Sequence, residues 1–352
     1  MKAIIINPIE LLTSLLVIPS ISKSEQEKSD FLVNFLKQHD CDVQRHKNNL
    51  FCFAKSYDEN KPTLMLNSHM DTVRPSDSWT FPPYQPTLLD GRIIGLGAND
   101  AHASLVSLIT VFLMLKDTEQ SYNLLLAISA EEEISGVNGM ESLLTVLPKI
   151  DFAIVGEPTQ MNLAVAEKGL MVLDCVAKGQ SGHAAREEGV NAIYKAIRDI
   201  EWFKNYQFEK ESDLLGAVKM SVTMIQAGKQ HNVVPDACAF TVDIRVNECY
   251  SNQQVFDIVK QYVEADVTPR SFRLNSSAID LNHVFVKRFL SIKPTIFGSA
   301  TLSDQTFMQF PSVKIGVGDS ARSHTADEYI FISEIEEGIG LYKQLIDGLT
   351  LR

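Results

Sequence analysis

Four apolar runs in this chain end in groups that hold cations or move protons. Thr63–Asn67 leads into His69-Met70-Asp71, Asn123–Ser129 into Glu131-Glu132-Glu133, Phe152–Val155 into Glu157, and Val313–Val317 into His324. A fifth acid, Asp100, follows the glycine turn Gly95-Leu96-Gly97. Two imidazoles and several carboxylates, with no thiolate, make a donor set suited to Zn²⁺ or Co²⁺ bound through nitrogen and oxygen. A pair of such ions about 3.5–4 Å apart needs a shared carboxylate; together they acidify a water and polarise a carbonyl. A neighbouring carboxylate can then accept the water's proton and pass it to a leaving amine. The chemistry implied is hydrolysis of an amide.

Each element alone is weak. A His-x-Asp pair is more often a surface pair or a helix cap, and three glutamates in a row are usually a solvated helix start. The segment GLGAND looks like a dinucleotide loop, but its glycines stop at two and no βαβ unit at the N-terminus supports it. The placement is what raises the odds. In open α/β sheets ligands bind at the carboxyl ends of the strands, so groups that follow buried strands converge in one crevice.

The elements that must position these groups follow from the same pattern. The apolar runs are of strand length, and helical patterns such as Phe31–His39 and Ala101–Leu115 lie between them. This predicts an α/β fold: a mixed, mostly parallel sheet flanked by helices. From about residue 169 the order changes to strand (LMVLDCVAKG), helix (GVNAIYKAIRDIEWF), two strands (AVKMSVTMIQAG and CAFTVDIRV), helix (NQQVFDIVKQYVEA) and a last strand around SFRLNSS. That is a split βαβ sandwich, able to form its own core. The expected organisation is therefore a discontinuous domain, 1–168 and 278–352, with an α+β domain inserted at 169–277.

Composition narrows the class. The 352 residues exceed the usual single domain, in keeping with two. A formal charge of −12 without any basic stripe argues against nucleic acid as a partner. The apolar runs fall short of the roughly 20 residues that cross a bilayer, which argues against a membrane. At the N-terminus Lys2 is the only charge before the first apolar patch, and Asn7, Pro8 and Glu10 interrupt that patch. A helix starting near Pro8 fits better than a signal peptide. Five cysteines, scattered and without CxxC spacing, point to reduced thiols in a cytoplasmic protein and against a sulfur-bound metal.

The stretches SHMDTV, GLGAND, AEEEISGVNG, VGEPT, GQSGHAA, NVVP with VDIR, and SHTADEY occur in that order between about residues 67 and 329. Their order resembles the metallopeptidase family that contains acetylornithine deacetylase, succinyl-diaminopimelate desuccinylase, aminoacylase and glutamate carboxypeptidase. GEPT with GVNAI looks closest to the deacetylase and desuccinylase branch. The resemblance implies a zinc-exopeptidase-like catalytic domain with two zinc ions, cobalt being possible. His69 and Glu157 would bind one ion, Glu133 and His324 the other, and Asp100 would bridge them, its peptide to Ala101 being cis. Asp71 would orient His69 from its second nitrogen. Glu132 would be the general base; Ile134 sets this register, with Glu131 the competitor.

In the inserted domain, the resemblance implies that His183 crosses a homodimer interface to stabilise the developing oxyanion. Asn232 and Arg245 would meet the substrate, the arginine fork suiting an α-carboxylate. Lys168 and Arg186 stand where relatives carry other residues and would offer a cation to a succinyl group. Ala101-His102-Ala103-Ser104 replaces the common Met-Lys-Gly-Gly, and His102 reads as a first-turn helix residue. His39, His46, His231 and His283 read as structural or surface residues. The implied substrate is a small N-acyl amino acid. N-acetylornithine comes first, with N-succinylornithine or an N-acylcitrulline beside it, in arginine biosynthesis. Succinyl-diaminopimelate, a dipeptide or carboxypeptidase substrate, and an inactive metal-binding scaffold are the alternatives.

Overall fold

A computed structural model describes residues 7–55 and 57–351. Lys2, before the first helix, lies outside the described residues. The chain divides into two compact units. One comprises Met1–Val165, Ile279–Phe297 and Ser303–Arg352, the other Ala166–Ala278 and Gly298–Leu302.

The first unit is built on a mixed sheet with a parallel centre. Asn123–Ser129, Thr63–His69, Phe152–Val155 and Ser312–Lys314 run parallel in that spatial order. Asn49–Phe53 joins one side of this group antiparallel and Leu163–Glu167 the other. All seven residues of both Thr63–His69 and Asn123–Ser129 are buried, as expected of strands covered on both faces. The predicted run Val313–Val317 is shorter as a strand, Ser312–Lys314, because the chain leaves the sheet there and bends at Val317 and Gly318, the latter left-handed (φ 88°). A Cβ at Gly316 would collide with the Glu157 carbonyl, so this glycine lets the chain leading to His324 approach the turn at Glu157.

Helix Pro8–Leu16 begins where expected, with proline in its first turn and the Asn7 side chain accepting the amides of Ile9 and Glu10. Helix Ala103–Leu115 buries every residue except Met114, because it packs on strand Thr63–His69 and between helices Pro8–Leu16 and Ile332–Ile346. Two sequence expectations need correction here. Residues 98–115 do form a stretch long and apolar enough to cross a membrane, but 89% of it is buried inside the fold, so its apolarity is that of a core helix. The helix also starts at Ala103 rather than Ala101, since Asp100 is extended (φ −117°, ψ 98°) and the Asp100–Ala101 peptide is cis.

The second unit carries a four-stranded antiparallel sheet in the order Lys219–Ala227, Ala237–Val246, Gly169–Lys178, Asp266–Pro269, with helices Ala192–Asn205 and Asn252–Tyr262. Along Gly169–Lys178 burial alternates strictly through Ala177, the signature of a sheet with one face on a core. That core gathers Leu173, Cys175, Phe203, Phe240, Val242 and Val259. The last strand is Asp266–Pro269, not SFRLNSS. Val267 is the one residue it buries, which is why so short a strand leaves little trace in the hydrophobic pattern. The α/β fold expected from the sequence, with its α+β insertion, is borne out. All five cysteines are unpaired.

Candidate metal centre

The parallel strands end side by side, and their ends bring the acids together. His69 is the last residue of Thr63–His69 and lies in register with Ser129, the last of Asn123–Ser129. Past Ser129 the chain enters Glu131 in the left-handed region (φ 55°) and then a single tight turn, Glu132–Ile134. This turn is not a solvated helix start. The left-handed residue separates the three glutamates: Glu132 and Glu133 join the cluster, whereas the Glu131 carboxylate accepts the side-chain and backbone amides of Asn138.

His69 Nε2 faces Asp100 Oδ1 at 3.3 Å, Glu157 Oε1 at 3.6 Å and Glu132 Oε2 at 3.9 Å. His324, also left-handed (φ 59°), places Nε2 2.8 Å from Glu133 Oε2 and 3.6 Å from Asp100 Oδ2. The two oxygens of Asp100 thus face different imidazoles. On its other side His69 Nδ1 lies 3.0 Å from the Asp71 carbonyl and 3.4 Å from its carboxylate. The Asp71 carboxylate is itself buried. It accepts the Ser22 hydroxyl at 2.6 Å and the backbone amides of Glu132 and Glu133 at 3.0 and 3.2 Å.

So many acids in one dry place shift one another. Burial pushes Glu132 well above the usual carboxylate range, with the Glu157 charge adding to it. Burial likewise lifts Glu157 to about 8, although His69 opposes it, and raises Glu133 against its bond from His324. Asp100 is held low: burial works against ionisation, but the His69 bond and charge prevail. Burial would lower the His69 imidazole, yet Glu157, Asp100 and Asp71 raise it well above its ordinary value. The bond to Glu133 raises His324 to about 9.

The cluster fits divalent cations. Glu133 Oε1 and Glu157 Oε1 are buried and accept no hydrogen bond from the described residues. A buried carboxylate oxygen without a donor is costly, and a cation is the partner that would satisfy it. The residues fall into two overlapping groups, His69 with Glu132 and Glu157, and His69 with Asp100 and Glu133.

Several residues of this site carry no sequence signal of their own. Glu328 is buried and accepts the amides of Gly97, Asn99 and Asp100 at 3.0, 2.7 and 2.8 Å, clamping the turn that presents Asp100. It lies in SHTADEY, so the motif marks it without assigning it work. Asp304 is buried and accepts the Ser129 hydroxyl at 2.5 Å; burial lifts it to about 7 against that bond. Glu25 receives the Lys23 amide at 2.6 Å and the Glu131 amide at 3.2 Å. His102 is fully buried, its ring nitrogens facing backbone carbonyls outside the cluster.

The remaining expected residues lie in the second unit. His183 is exposed; its Nδ1 accepts the Ala185 amide, and Asn232 accepts the Ala184 amide through its backbone carbonyl. Arg186 is exposed beside Glu188 at 3.7 Å. Lys168 donates to the Ala217 carbonyl, and burial followed by the Lys219 charge lowers it. Arg245 is not an open fork. Its Nε and Nη2 grip the two carboxylate oxygens of Asp243 at 2.8 and 3.1 Å, because residues two apart on a strand share a face. Of the other histidines, His39 bonds the Phe35 carbonyl, His46 faces the Ser142 hydroxyl, His283 caps a helix, and His231 is exposed.

A model of peptidase family M20/M25/M40 matches residues 65–348. The chain belongs to that family. It is a metal-dependent amidohydrolase. Among similar proteins is a succinyl-diaminopimelate desuccinylase of Wolbachia pipientis, 22% identical over 97% of this chain and 93% of its own length. Among solved structures, aminopeptidase PepT of Bacillus cereus superposes with a TM-score of 0.78 at 20% identity, covering 96% of this chain and 97% of its own. A Bacillus subtilis protein described as a dinuclear metal binding peptidase of the M20 family gives 0.74 at 15% identity, covering 96% of each chain.

Proposed function

We propose that this chain hydrolyses the amide bond of a small N-acylated amino acid, with two divalent cations held by His69, Asp100, Glu133, Glu157 and His324. One observation carries the reading: these groups converge around two buried carboxylate oxygens that lack a proton donor. Zinc is the ion the donor set suits best, and cobalt accepts the same ligands. When bound, the cations would polarise the scissile carbonyl and acidify the attacking water. The cation charge would also draw Glu132 and Glu157 back toward ionisation.

The rest is side-chain work. Glu132, ionised, takes a proton from the attacking water and returns it to the departing amine nitrogen. Asp71 holds the backbone of Glu132 and Glu133 together, so that base and ligand share one anchored turn. Asp100 turns one oxygen toward each imidazole, as a bridging carboxylate must. In the second unit His183 is the candidate donor to the developing oxyanion, reached across a homodimer, with Asn232 and Arg245 on the substrate side. For Arg245 a substrate carboxylate would have to share or replace Asp243.

The Wolbachia relative is named for removing succinate from diaminopimelate. That favours an N-succinylated diamino acid ahead of the N-acetylornithine implied by the motif resemblance. Lys168 and Arg186 are the cations available to a succinyl carboxylate. The test is a kinetic panel on zinc- or cobalt-loaded protein: N-succinyl-diaminopimelate, N-succinylornithine, N-acetylornithine and a dipeptide. Turnover of a succinylated amino acid at least tenfold above the rest is the expected outcome. Preference for the dipeptide would replace this reading with peptide hydrolysis, and light scattering of the same sample tests the dimer.

A further inference from the structure

Lys28 sits in the first turn of helix Gln26–Gln38, where a cation is disfavoured by the helix dipole and a lysine is ordinarily solvated. It is instead 1% exposed. No carboxylate among the described residues lies within salt-bridge distance of its nitrogen, and its one hydrogen-bond partner there is His102 Nε2 at 2.7 Å. A buried lysine without an acid partner is expensive. What it holds is therefore informative.

His102 is 0% exposed, and both ring nitrogens face backbone carbonyls: Nδ1 faces Gly97 at 2.9 Å and Nε2 faces Met70 at 3.1 Å. A neutral imidazole has a single N–H and can serve only one of them. The Met70 carbonyl already receives the Ser20 hydroxyl at 2.8 Å. Lys28 brings an N–H to Nε2 whether it is an ammonium or an amine. With the ring proton on Nδ1, Gly97 receives a donor and Nε2 accepts from Lys28. With the proton on Nε2, two lone pairs would oppose each other between Nδ1 and the Gly97 carbonyl.

The two carbonyls belong to the turns that carry the candidate ligands. Met70 lies between His69 and Asp71, and Gly97 opens the turn that ends in Asp100. Gly97 is left-handed (φ 81°), and a Cβ there would strike the His102 ring, so the ring and this turn are fitted to each other. We propose that Lys28 and His102 form a buried positioning pair, in which Lys28 sets the ring's tautomer and the ring, donating from Nδ1 to the Gly97 carbonyl, holds the Gly97–Asp100 turn in place. Neither residue touches substrate. The pair acts on the metal centre by holding the turn that presents Asp100, so the inference rests on the reading of Asp100 as a ligand.

The test combines ¹⁵N NMR of the histidine side chains in chelator-treated protein with zinc affinity by competition, on wild type, Lys28→Met and Lys28→Arg. Wild-type His102 should show a protonated Nδ1 and an acceptor Nε2. Lys28→Met should move the proton to Nε2 and weaken zinc binding about 10–100-fold, the usual cost of losing a support behind a ligand; Lys28→Arg, which keeps a donor, should lie nearer wild type on both. A wild-type His102 protonated at Nε2 overturns the proposal, and this holds even if Lys28→Met fails to fold. Unchanged zinc affinity in a folded Lys28→Met protein, with or without a tautomer change, overturns the positioning role. A wild type that binds no divalent ion would instead refute the metal reading of the site, and the tautomer result would stand apart from it.

Discussion

The carboxylate of Asp71 receives the backbone amide of Glu132 at 3.0 Å, and its other oxygen takes the amide of Glu133 at 3.2 Å. Asp71 therefore does more than face His69 Nδ1; it anchors the turn that carries both the proposed base and a proposed ligand. Asp71→Asn keeps the size but puts an NH₂ where one of these amide donors must find an acceptor. Turnover should fall about 10–100-fold with a matching loss of zinc affinity. Kinetics and metal competition on the same preparation check this. A loss of turnover with zinc affinity unchanged would leave the anchor without its expected effect on the ligand.

The left-handed Glu131 divides the three glutamates by position, Glu132 and Glu133 joining the cluster and Glu131 turning to Asn138. Glu132→Gln should lower kcat by about 10²–10⁴-fold while metal content by elemental analysis stays at the wild-type level, as expected when only proton transfer is lost. Glu131→Gln should keep turnover within a few-fold. Its signature should be lower stability, since Glu131 holds Asn138 and packs against Gly136. Reversed outcomes for the two variants would move the base to Glu131.

Glu132, Glu133 and Glu157 were legible in sequence because each follows a strand that must be buried, and the carboxyl ends of parallel strands meet in space whatever lies between them; Asp100 was legible only from its glycine turn. Lys28 was not legible. In QEKSDFL it stands among charges at a helix start, and only its place against the buried His102 ring removes it from water. Asp304 is hidden for a similar reason, since nothing in SDQTF announces that its carboxylate will lie beneath Ser129. The strand Asp266–Pro269 escaped notice because four residues with one buried side chain make too short a pattern to read. Arg245 shows the opposite failure: its type suggested a free fork, and the face it shares with Asp243 is visible only once the strand is known.

Metal loading should release protons. Without metal, the His324 imidazole, raised to about 9 by its bond to Glu133, and Glu157, raised to about 8 by burial, both hold a proton at pH 7. Ligands must shed these to bind a cation, and His69, raised well above its ordinary value, adds to them, so zinc binding at pH 7 should release at least two protons, fewer as pH rises past 9. Affinity should rise with pH across that range. Calorimetry in buffers of different ionisation enthalpy counts the protons directly. A pH-independent affinity between 6 and 9 would remove these two residues from the ligand set.

Lys28 also makes a prediction for stability that is separate from metal binding. Burial lowers it from 10.5 to about 7, with Asp71 offsetting part of the effect. Between those values the unfolded chain binds a proton at Lys28 that the folded chain does not, so the unfolded state holds more protons and this residue makes stability rise with pH. The contribution is absent above the unfolded value and most unfavourable below about pH 7. At about 1.36 kcal/mol per pKa unit it amounts to a few kcal/mol. His324 and Glu157, whose folded values are raised, slope the other way, so the readout is the difference between wild type and Lys28→Met. Urea unfolding with chelator present, at pH 7 and pH 9.5, should show wild type gaining on Lys28→Met as pH rises. Parallel curves would mean that Lys28 keeps an ordinary lysine's proton in the folded protein, despite its burial.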